Sequence, residues 1–131
     1  MEDWKMKIAM LWLVYQSGSI VTFIFDAWTP GWIERTAAGE IQGVKSTPEV
    51  LLVFAIIFVI PPLMAFLSMT LKGSINRWIN IILSIAFAVI ATYGMIPFFE
   101  QLAAYSIPIW LSQVVANALI VWYAWKSKQK A

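Results

Sequence analysis

The 131-residue chain contains neither cysteine nor histidine, and charged residues make up only 12% of it. The lack of both residue types excludes a disulfide scaffold, a Cys/His zinc site, His-dependent catalytic triads and His-ligated haem. Soluble domains carry about 25% charged residues, so the low charge also argues against an ordinary soluble fold. The lack of cysteine leaves the redox compartment undetermined.

Basic residues are too few for a nucleic-acid-binding surface. Nine Lys and Arg residues against seven Asp and Glu residues give a net charge of only +2. They are scattered over short separate segments, whereas nucleic acids bind a continuous basic face. We therefore predict that nucleic acid is not a partner.

Apolar residues make up 61% of the chain and lie in four long runs: residues 8–28, 50–71, 78–99 and 102–125. Crossing about 30 Å of hydrocarbon takes about 20 apolar residues, so each run is long enough to span a membrane. Asp26 is the one charged residue inside them. The sequence predicts an all-α membrane protein, with four transmembrane helices bundled in a single domain of residues 1–131 and the lipid bilayer as its surroundings.

The distribution of charge predicts the orientation. Seven basic residues flank the runs on one side, and Arg35 and Lys45 lie on the other. The positive-inside rule then places both termini in the cytoplasm and the chain in the inner membrane. Residues 29–48 become an outer loop, in which residues 32–35 are expected to start a short helix lying on the bilayer surface.

Polar residues recur at helical spacing within three of the runs, and polar groups at membrane depth usually face protein or water. The stripes are Tyr15, Ser19, Thr22 and Asp26; Asn76, Asn80 and Ser84; and Ser106, Gln113 and Asn117. The residues expected to contact a ligand are Gln16, Asp26, Asn80, Gln113 and Asn117. The alternative is that such groups join the helices by hydrogen bonds, or that Asp26 is an ordinary interfacial acid.

Proline interrupts three of the runs. Pro61 and Pro62 lie in the middle of the second, where they remove two backbone hydrogen bonds and clash with the preceding turn. They predict a kink or hinge near residues 58–59, which either bends around a ligand or only shapes the bundle. Pro97 and Pro108 are expected to break the end of the third helix and the start of the fourth.

Groups for acid–base chemistry are scarce. Asp26, Glu49 and Glu100 lie near the outer ends of three runs and could form a carboxylate cluster for a metal or a proton, or be plain surface acids. We predict no catalytic residue, no metal and no cofactor, and the sequence leaves open whether the protein is an enzyme.

Two stretches carry a resemblance, residues 76–81 (NRWINI) and residues 122–126 (WYAWK). With shorter matches elsewhere, they make the chain similar to a family of small four-helix integral membrane proteins of bacteria and archaea, described as a domain of unknown function. The resemblance covers nearly the whole chain. It implies a fold and a membrane location, and it implies no activity.

Two functions follow as hypotheses. The first is binding or passage of a small lipophilic or weakly polar molecule in the bundle, between aromatic walls such as Tyr15, Tyr93 and Trp110. The alternative is a structural or accessory subunit of a homo-oligomer or a larger membrane complex. The interfaces of such a subunit would be two faces of small residues, Ser84/Ala88/Thr92 and Ser112/Ala116. A cavity that reaches Gln113 and Asn117 would favour the first.

Overall fold

The computed structural model describes residues 3–41, 44–100 and 104–127, without the side chains of residues 97–100. These ranges hold five helices and one antiparallel hairpin of two-residue strands. In chain order they are α1 (Asp3–Ala27), α2 (Trp32–Ala37), β1 (Glu40–Ile41), β2 (Val44–Lys45), α3 (Pro48–Thr70), α4 (Gly73–Glu100) and α5 (Ser106–Lys126).

Four of these helices, α1, α3, α4 and α5, are long and apolar enough to cross a membrane, with mean hydropathies between 1.5 and 2.9. Only 17–28% of the residues in their most apolar windows are buried inside the protein. Most apolar side chains therefore face outward, which a soluble protein would not tolerate over so large a surface. The prediction of four span-length helices is confirmed, and so is the short helix that begins at Trp32.

The helices pack in the order α3, α1, α5, α4. Helix α1 lies between α3 and α5, and α5 packs on α4. Helices α3 and α4 make few contacts with each other although they are consecutive. They are hydrogen-bonded close to their connecting turn, so they can separate further along.

Two cation–ring contacts show which helix ends lie together. The Lys7 ammonium lies 5.3 Å from the Tyr123 ring centroid, and the Arg77 guanidinium carbon lies 4.7 Å from that of Trp125. The starts of α1 and α4 and the end of α5 therefore share one end of the bundle, here called the basic end. The opposite end, which carries α2 and the hairpin, is called the loop end.

Local sequence explains how α3 and α4 begin. The Thr47 hydroxyl accepts a hydrogen bond from the Val50 N–H at 3.1 Å, and Pro48 occupies the first turn, as the sequence predicts. Helix α4 starts at Gly73, five residues earlier than predicted, and Gly73 has a positive φ of 60°, which glycine tolerates. The Asn76 side chain donates to the carbonyls of Ser68 and Leu71 at the end of α3, both at 2.9 Å.

The prolines interrupt the helices less than predicted. Helix α4 continues through Pro97 to Glu100, so the predicted break there is wrong; the proline removes one hydrogen bond near a helix end, where little remains to be disrupted. Pro108 lies in the first turn of α5, where backbone N–H groups lack helical partners anyway. Helix α3 remains continuous through Pro61 and Pro62, and a hinge at these residues stays a prediction.

Aromatic rings fill the centre of the bundle. Trp12, Tyr15 and Phe87 are buried and meet edge to face, with centroids 5.5–6.2 Å apart. The Tyr15 hydroxyl donates to the Phe87 carbonyl at 3.1 Å. This cluster joins α1 to α4.

Candidate functional site

A cavity of about 510 Å³ opens between α3 and α4 in the half of the bundle nearest the loop end. Aromatic side chains supply much of its wall: Phe23, Phe54, Phe58 and Tyr93. Polar atoms come from α1 and α5 at the back, and Val44 of the hairpin lies at its edge. Ligand sites in proteins have this size and this mostly apolar lining with a few polar points.

Helix α4 contributes two small residues to the wall of the cavity. Ala91 and Gly94 both line the space. A β-carbon added at Gly94 would meet no atom within 4 Å. Protein interiors are otherwise packed about as densely as organic crystals, so this partly open space is a candidate binding site.

Gln113 is a polar residue in the wall of this cavity. Its Nε2 donates to the Tyr15 carbonyl at 3.0 Å and to the Ser19 hydroxyl at 2.8 Å, which ties α5 to α1. No group in the described ranges donates to its Oε1, and this oxygen is not among the fully enclosed polar atoms. One half of the amide is therefore structural, and the other half is an available hydrogen-bond acceptor.

Two hydroxyl groups of α1 are further hydrogen-bond acceptors in the cavity wall. Ser19 and Thr22 line the cavity and direct their hydrogens back to their own helix, Thr22 to the Gly18 carbonyl at 2.8 Å and Ser19 to the Tyr15 carbonyl at 3.5 Å. A hydroxyl that donates in this way still has lone pairs to offer. The polar points of the cavity are thus mostly acceptors, and they suit a ligand that donates hydrogen bonds.

Asn80 lies elsewhere, in a buried network near the basic end. Its Oδ1 accepts from Trp12 Nε1 at 2.8 Å and from the Ser68 hydroxyl at 3.0 Å. Its Nδ2 donates to the backbone and side-chain oxygens of Asn76 at 2.9 and 2.6 Å. Four partners saturate the amide, so the structure uses Asn80 to join α1, α3 and α4.

Asn117 faces a different space from Gln113. It lines a groove of about 530 Å³ between α4 and α5, together with the small residues Ser84, Ala88 and Thr92. The Ser84 hydroxyl donates to its backbone and side-chain oxygens, both at 2.9 Å. Its Nδ2 is enclosed and has no hydrogen-bond partner among the described residues. The two amides predicted to act together are therefore separated.

Gln16 and Asp26 are not in the cavity wall. Gln16 is half-buried, and its Oε1 is enclosed without a partner in the described part of the chain. Asp26 forms an ion pair with Arg35 of α2 at 3.8 Å, with 14% of its side chain exposed. This pair holds the short helix against the end of α1.

The region around Asp26 also contains Tyr105, whose ring packs 5.6 Å from that of Phe25. Burial raises the pKa of the Tyr105 hydroxyl, the Asp26 carboxylate raises it further, and Arg35 lowers it. Glu49 is exposed, and the side chain of Glu100 lies outside the described residues. Within the described ranges no group of three potential ligands could hold a metal ion.

Sequence reasoning found only part of this site. Tyr15, Tyr93 and Gln113 line the cavity, whereas Trp110 donates to the Thr92 hydroxyl at 3.1 Å; contact of any of them with a ligand stays a prediction. Gly18, Gly94 and the three phenylalanines were not predicted. Glycine in the middle of an apolar helix is the signal that could have revealed the first two, since it marks a close approach or a missing volume.

Comparison with known proteins adds a family and no activity. Searches of curated proteins and of solved structures found no match. A family model matches residues 1–130, which confirms the resemblance that the sequence motifs carry. The chain therefore belongs to the family of unknown function DUF6326.

Proposed function

We propose that this protein binds a small lipophilic molecule that carries a hydrogen-bond donor, such as a phenol or an aliphatic alcohol, in the cavity between α3 and α4. The observation that carries the proposal is the free Oε1 of Gln113 at the wall of a mostly apolar space of about 510 Å³. The apolar wall would take the body of the ligand, and Gln113 would accept from its hydroxyl.

The proposal includes a route from the membrane. Helices α3 and α4 make few contacts with each other, and the exposed apolar side chain of Ile90 lies in the wall of the cavity between them. A lipophilic molecule dissolved in the bilayer would enter there without crossing water. We propose binding, with passage through the bundle as its possible extension.

The membrane placement belongs to the same proposal. Basic residues concentrate at the end that carries both termini, so we propose a multi-pass protein of the cytoplasmic membrane with both termini inside. The natural absence of cysteine makes the test direct. An impermeant thiol reagent on intact cells should label Glu40→Cys at the loop end and spare Lys72→Cys at the basic end. The reverse pattern would overturn the orientation.

Ligand binding is tested with a matched pair of probes. Fluorine NMR of 4-fluorophenol and of fluorobenzene, each with the protein in phosphatidylcholine nanodiscs, separates binding from partitioning when empty nanodiscs are measured alongside. We expect saturable binding of 4-fluorophenol, with fluorobenzene bound about fivefold more weakly, because one hydrogen bond is worth roughly 1 kcal/mol.

Two variants at one position control for the cavity. Gly94→Leu should fill the space and abolish saturable binding, whereas Gly94→Ala adds little volume and should retain it; neither removes a hydrogen bond. If Gly94→Leu binds 4-fluorophenol as well as the unmodified protein does, the cavity is not the site. If the nanodiscs with protein behave like empty ones, the binding proposal fails.

A second candidate function is a subunit of a larger assembly, and the groove between α4 and α5 favours it. Ser84, Ala88 and Thr92 would let a further helix approach closely. The other predicted interface is divided, because Ala116 is buried inside the bundle and Ser112 is exposed. Native mass spectrometry of the protein and of Ala88→Leu distinguishes the candidates. Dimers lost in the variant would support the subunit, and monomers throughout would exclude self-association.

A further inference from the structure

Arg77 occupies an unusual place at the basic end of the bundle. Its guanidinium carbon lies 4.7 Å from the ring centroids of both Trp78 and Trp125. The two rings are themselves 6.4 Å apart and nearly perpendicular. Only 8% of the arginine is exposed, so two indoles from neighbouring helices cover a charged group.

This charge has no counter-ion in the described part of the chain. Nε and Nη2 of Arg77 are enclosed and have no hydrogen-bond partner there. The acids with described ion pairs are engaged elsewhere, Asp3 with Lys7 and Asp26 with Arg35. Guanidinium does not lose its proton in proteins, so it cannot relieve the cost by becoming neutral.

The indole rings compensate for only part of that cost. A ring face attracts a cation that stacks on it, but it offers no acceptor in the plane of the guanidinium, where the N–H groups point. No described residue forms a hydrogen bond or ion pair with Nη1, which is not among the enclosed nitrogen atoms that lack a partner. The group thus keeps one open edge, held in a defined orientation by the two rings.

The surroundings of this edge are basic. Lys7 lies over Tyr123 and Lys126 over Trp122 at the same end, and Lys72 is exposed in the turn just before α4. An anion approaching Arg77 would meet several positive charges and, among the described residues at this end, the single acid Asp3, which is paired with Lys7. Trp78 and Trp125 are half-exposed, as indoles at a membrane surface usually are.

We propose that Arg77, clamped between Trp78 and Trp125, binds a phosphate group at the basic end of the bundle. The planar fork of a guanidinium matches two phosphate oxygens, and a fork already held against two rings loses little freedom on binding. Two sources carry this chemistry at a membrane surface, the headgroup of an anionic phospholipid and free phosphate. The site is separate from the cavity, so it stands whether or not the cavity binds a ligand.

Native mass spectrometry with defined lipids tests the proposal. The protein in a neutral detergent is titrated with phosphatidylglycerol and with phosphatidylcholine of the same acyl chains. We expect phosphatidylglycerol to bind more tightly. Arg77→Gln should weaken it about tenfold, as the loss of a charge-assisted hydrogen bond does, and Arg77→Lys should lose less because it keeps the charge.

Lys72→Gln is the matched control, because it removes the same charge from an exposed position at the same end. It should change the affinity less than twofold. If Lys72→Gln and Arg77→Gln weaken binding equally, the effect is general electrostatics and the site is overturned. If the unmodified protein does not prefer phosphatidylglycerol and binds no phosphate, the proposal is overturned. This outcome needs no variant, so it holds even if a variant misfolds.

Inorganic phosphate distinguishes the two sources. If free phosphate occupies the site, it should displace phosphatidylglycerol from the lipid-bound protein and should perturb the tryptophan fluorescence of the lipid-free protein. If it does neither at concentrations where phosphatidylglycerol binds, and Arg77→Gln still loses the lipid, the ligand is the lipid headgroup. Either result supports a phosphate site at Arg77.

Discussion

Gly18 lies directly against Gln113, and a β-carbon at position 18 would come within 3.0 Å of Gln113 Cγ. The absence of a side chain on α1 is therefore what lets the amide from α5 reach the Tyr15 carbonyl and the Ser19 hydroxyl. Those two hydrogen bonds engage the nitrogen of the amide and leave its oxygen without a donor among the described residues.

Gly18→Ala should destabilise the protein by about 1 kcal/mol. Alanine favours a helix over glycine by roughly 0.5–1 kcal/mol, but here it displaces an amide with two hydrogen bonds, each worth about 0.5–1.5 kcal/mol. Gly94→Ala is the matched control, since it meets no atom within 4 Å and should be neutral or stabilising. Unfolding titrations in mixed micelles measure both. Equal shifts in the same direction would contradict this account.

Asn80→Leu should be among the most damaging single changes in the chain. It removes four hydrogen bonds. Trp12 Nε1 then loses its acceptor, and the Ser68 hydroxyl keeps only its bond to the Met64 carbonyl of its own helix among the described residues. At roughly 0.6–2 kcal/mol for each bond between membrane helices, we expect a loss of about 2–4 kcal/mol. The same unfolding titration measures it.

Thr70→Ala provides the comparison for Asn80→Leu. Thr70 is exposed in α3 and bonds only to carbonyls of its own helix. Its loss should change stability by less than about 0.5 kcal/mol. An Asn80 variant as stable as the Thr70 variant would show that the buried network does not hold the helices together.

Asp26→Asn should loosen α2 and leave the bundle intact. The ion pair with Arg35 is half-exposed, so its loss should cost no more than about 1 kcal/mol. Hydrogen–deuterium exchange should become faster in residues 32–37 and remain unchanged in the core of α1 and α5. Glu34→Gln, at an exposed position of the same short helix, should have no such effect. A change spread over all the helices would place Asp26 in a larger role.

Alkaline pH should weaken the packing around Tyr105. Its pKa is raised by burial and by Asp26, so the neutral hydroxyl is favoured in the folded protein. The associated stability is complete below the ordinary tyrosine pKa of about 10 and is lost as the pH rises through the raised value. Tyr105→Phe should flatten the stability profile in this range, and Asp26→Asn should lower the Tyr105 pKa in a spectrophotometric titration. An unchanged profile in Tyr105→Phe would refute this.

Helix identity could be predicted because its causes are local. The length of an apolar run can be read directly from the sequence, and Thr47 followed by Pro48 indicates where α3 begins. Boundaries were harder wherever a distant residue decided them. The end of α3 depends on the Asn76 side chain reaching back to the Ser68 and Leu71 carbonyls, which no count of apolar residues contains.

The candidate site could be predicted only in its residue types. Helical spacing placed Gln113, Asn80 and Asn117 on inward-facing stripes, but it could not tell which of them retains a free polar atom. Asn80 is hydrogen-bonded to Trp12, which lies 68 positions away in the chain, and Gln113 is hydrogen-bonded to Tyr15, which lies 98 positions away. Partners so far apart are chosen by how the helices dock.

The sequence by itself determined four long apolar helices, a basic end and the supply of amides and hydroxyls among them, because length, charge and helical period are properties of neighbouring residues. Tertiary structure alone decided that α3 and α4 separate beyond Asn80 and that Gly94 leaves space there. It also decided that Gln113 lines that space with its oxygen unpaired among the described residues and that two indoles lie against Arg77. The physical reason is that each of these features depends on how the helices pack. It is the volume that packing leaves unfilled, or the polar atom that packing leaves without a hydrogen bond.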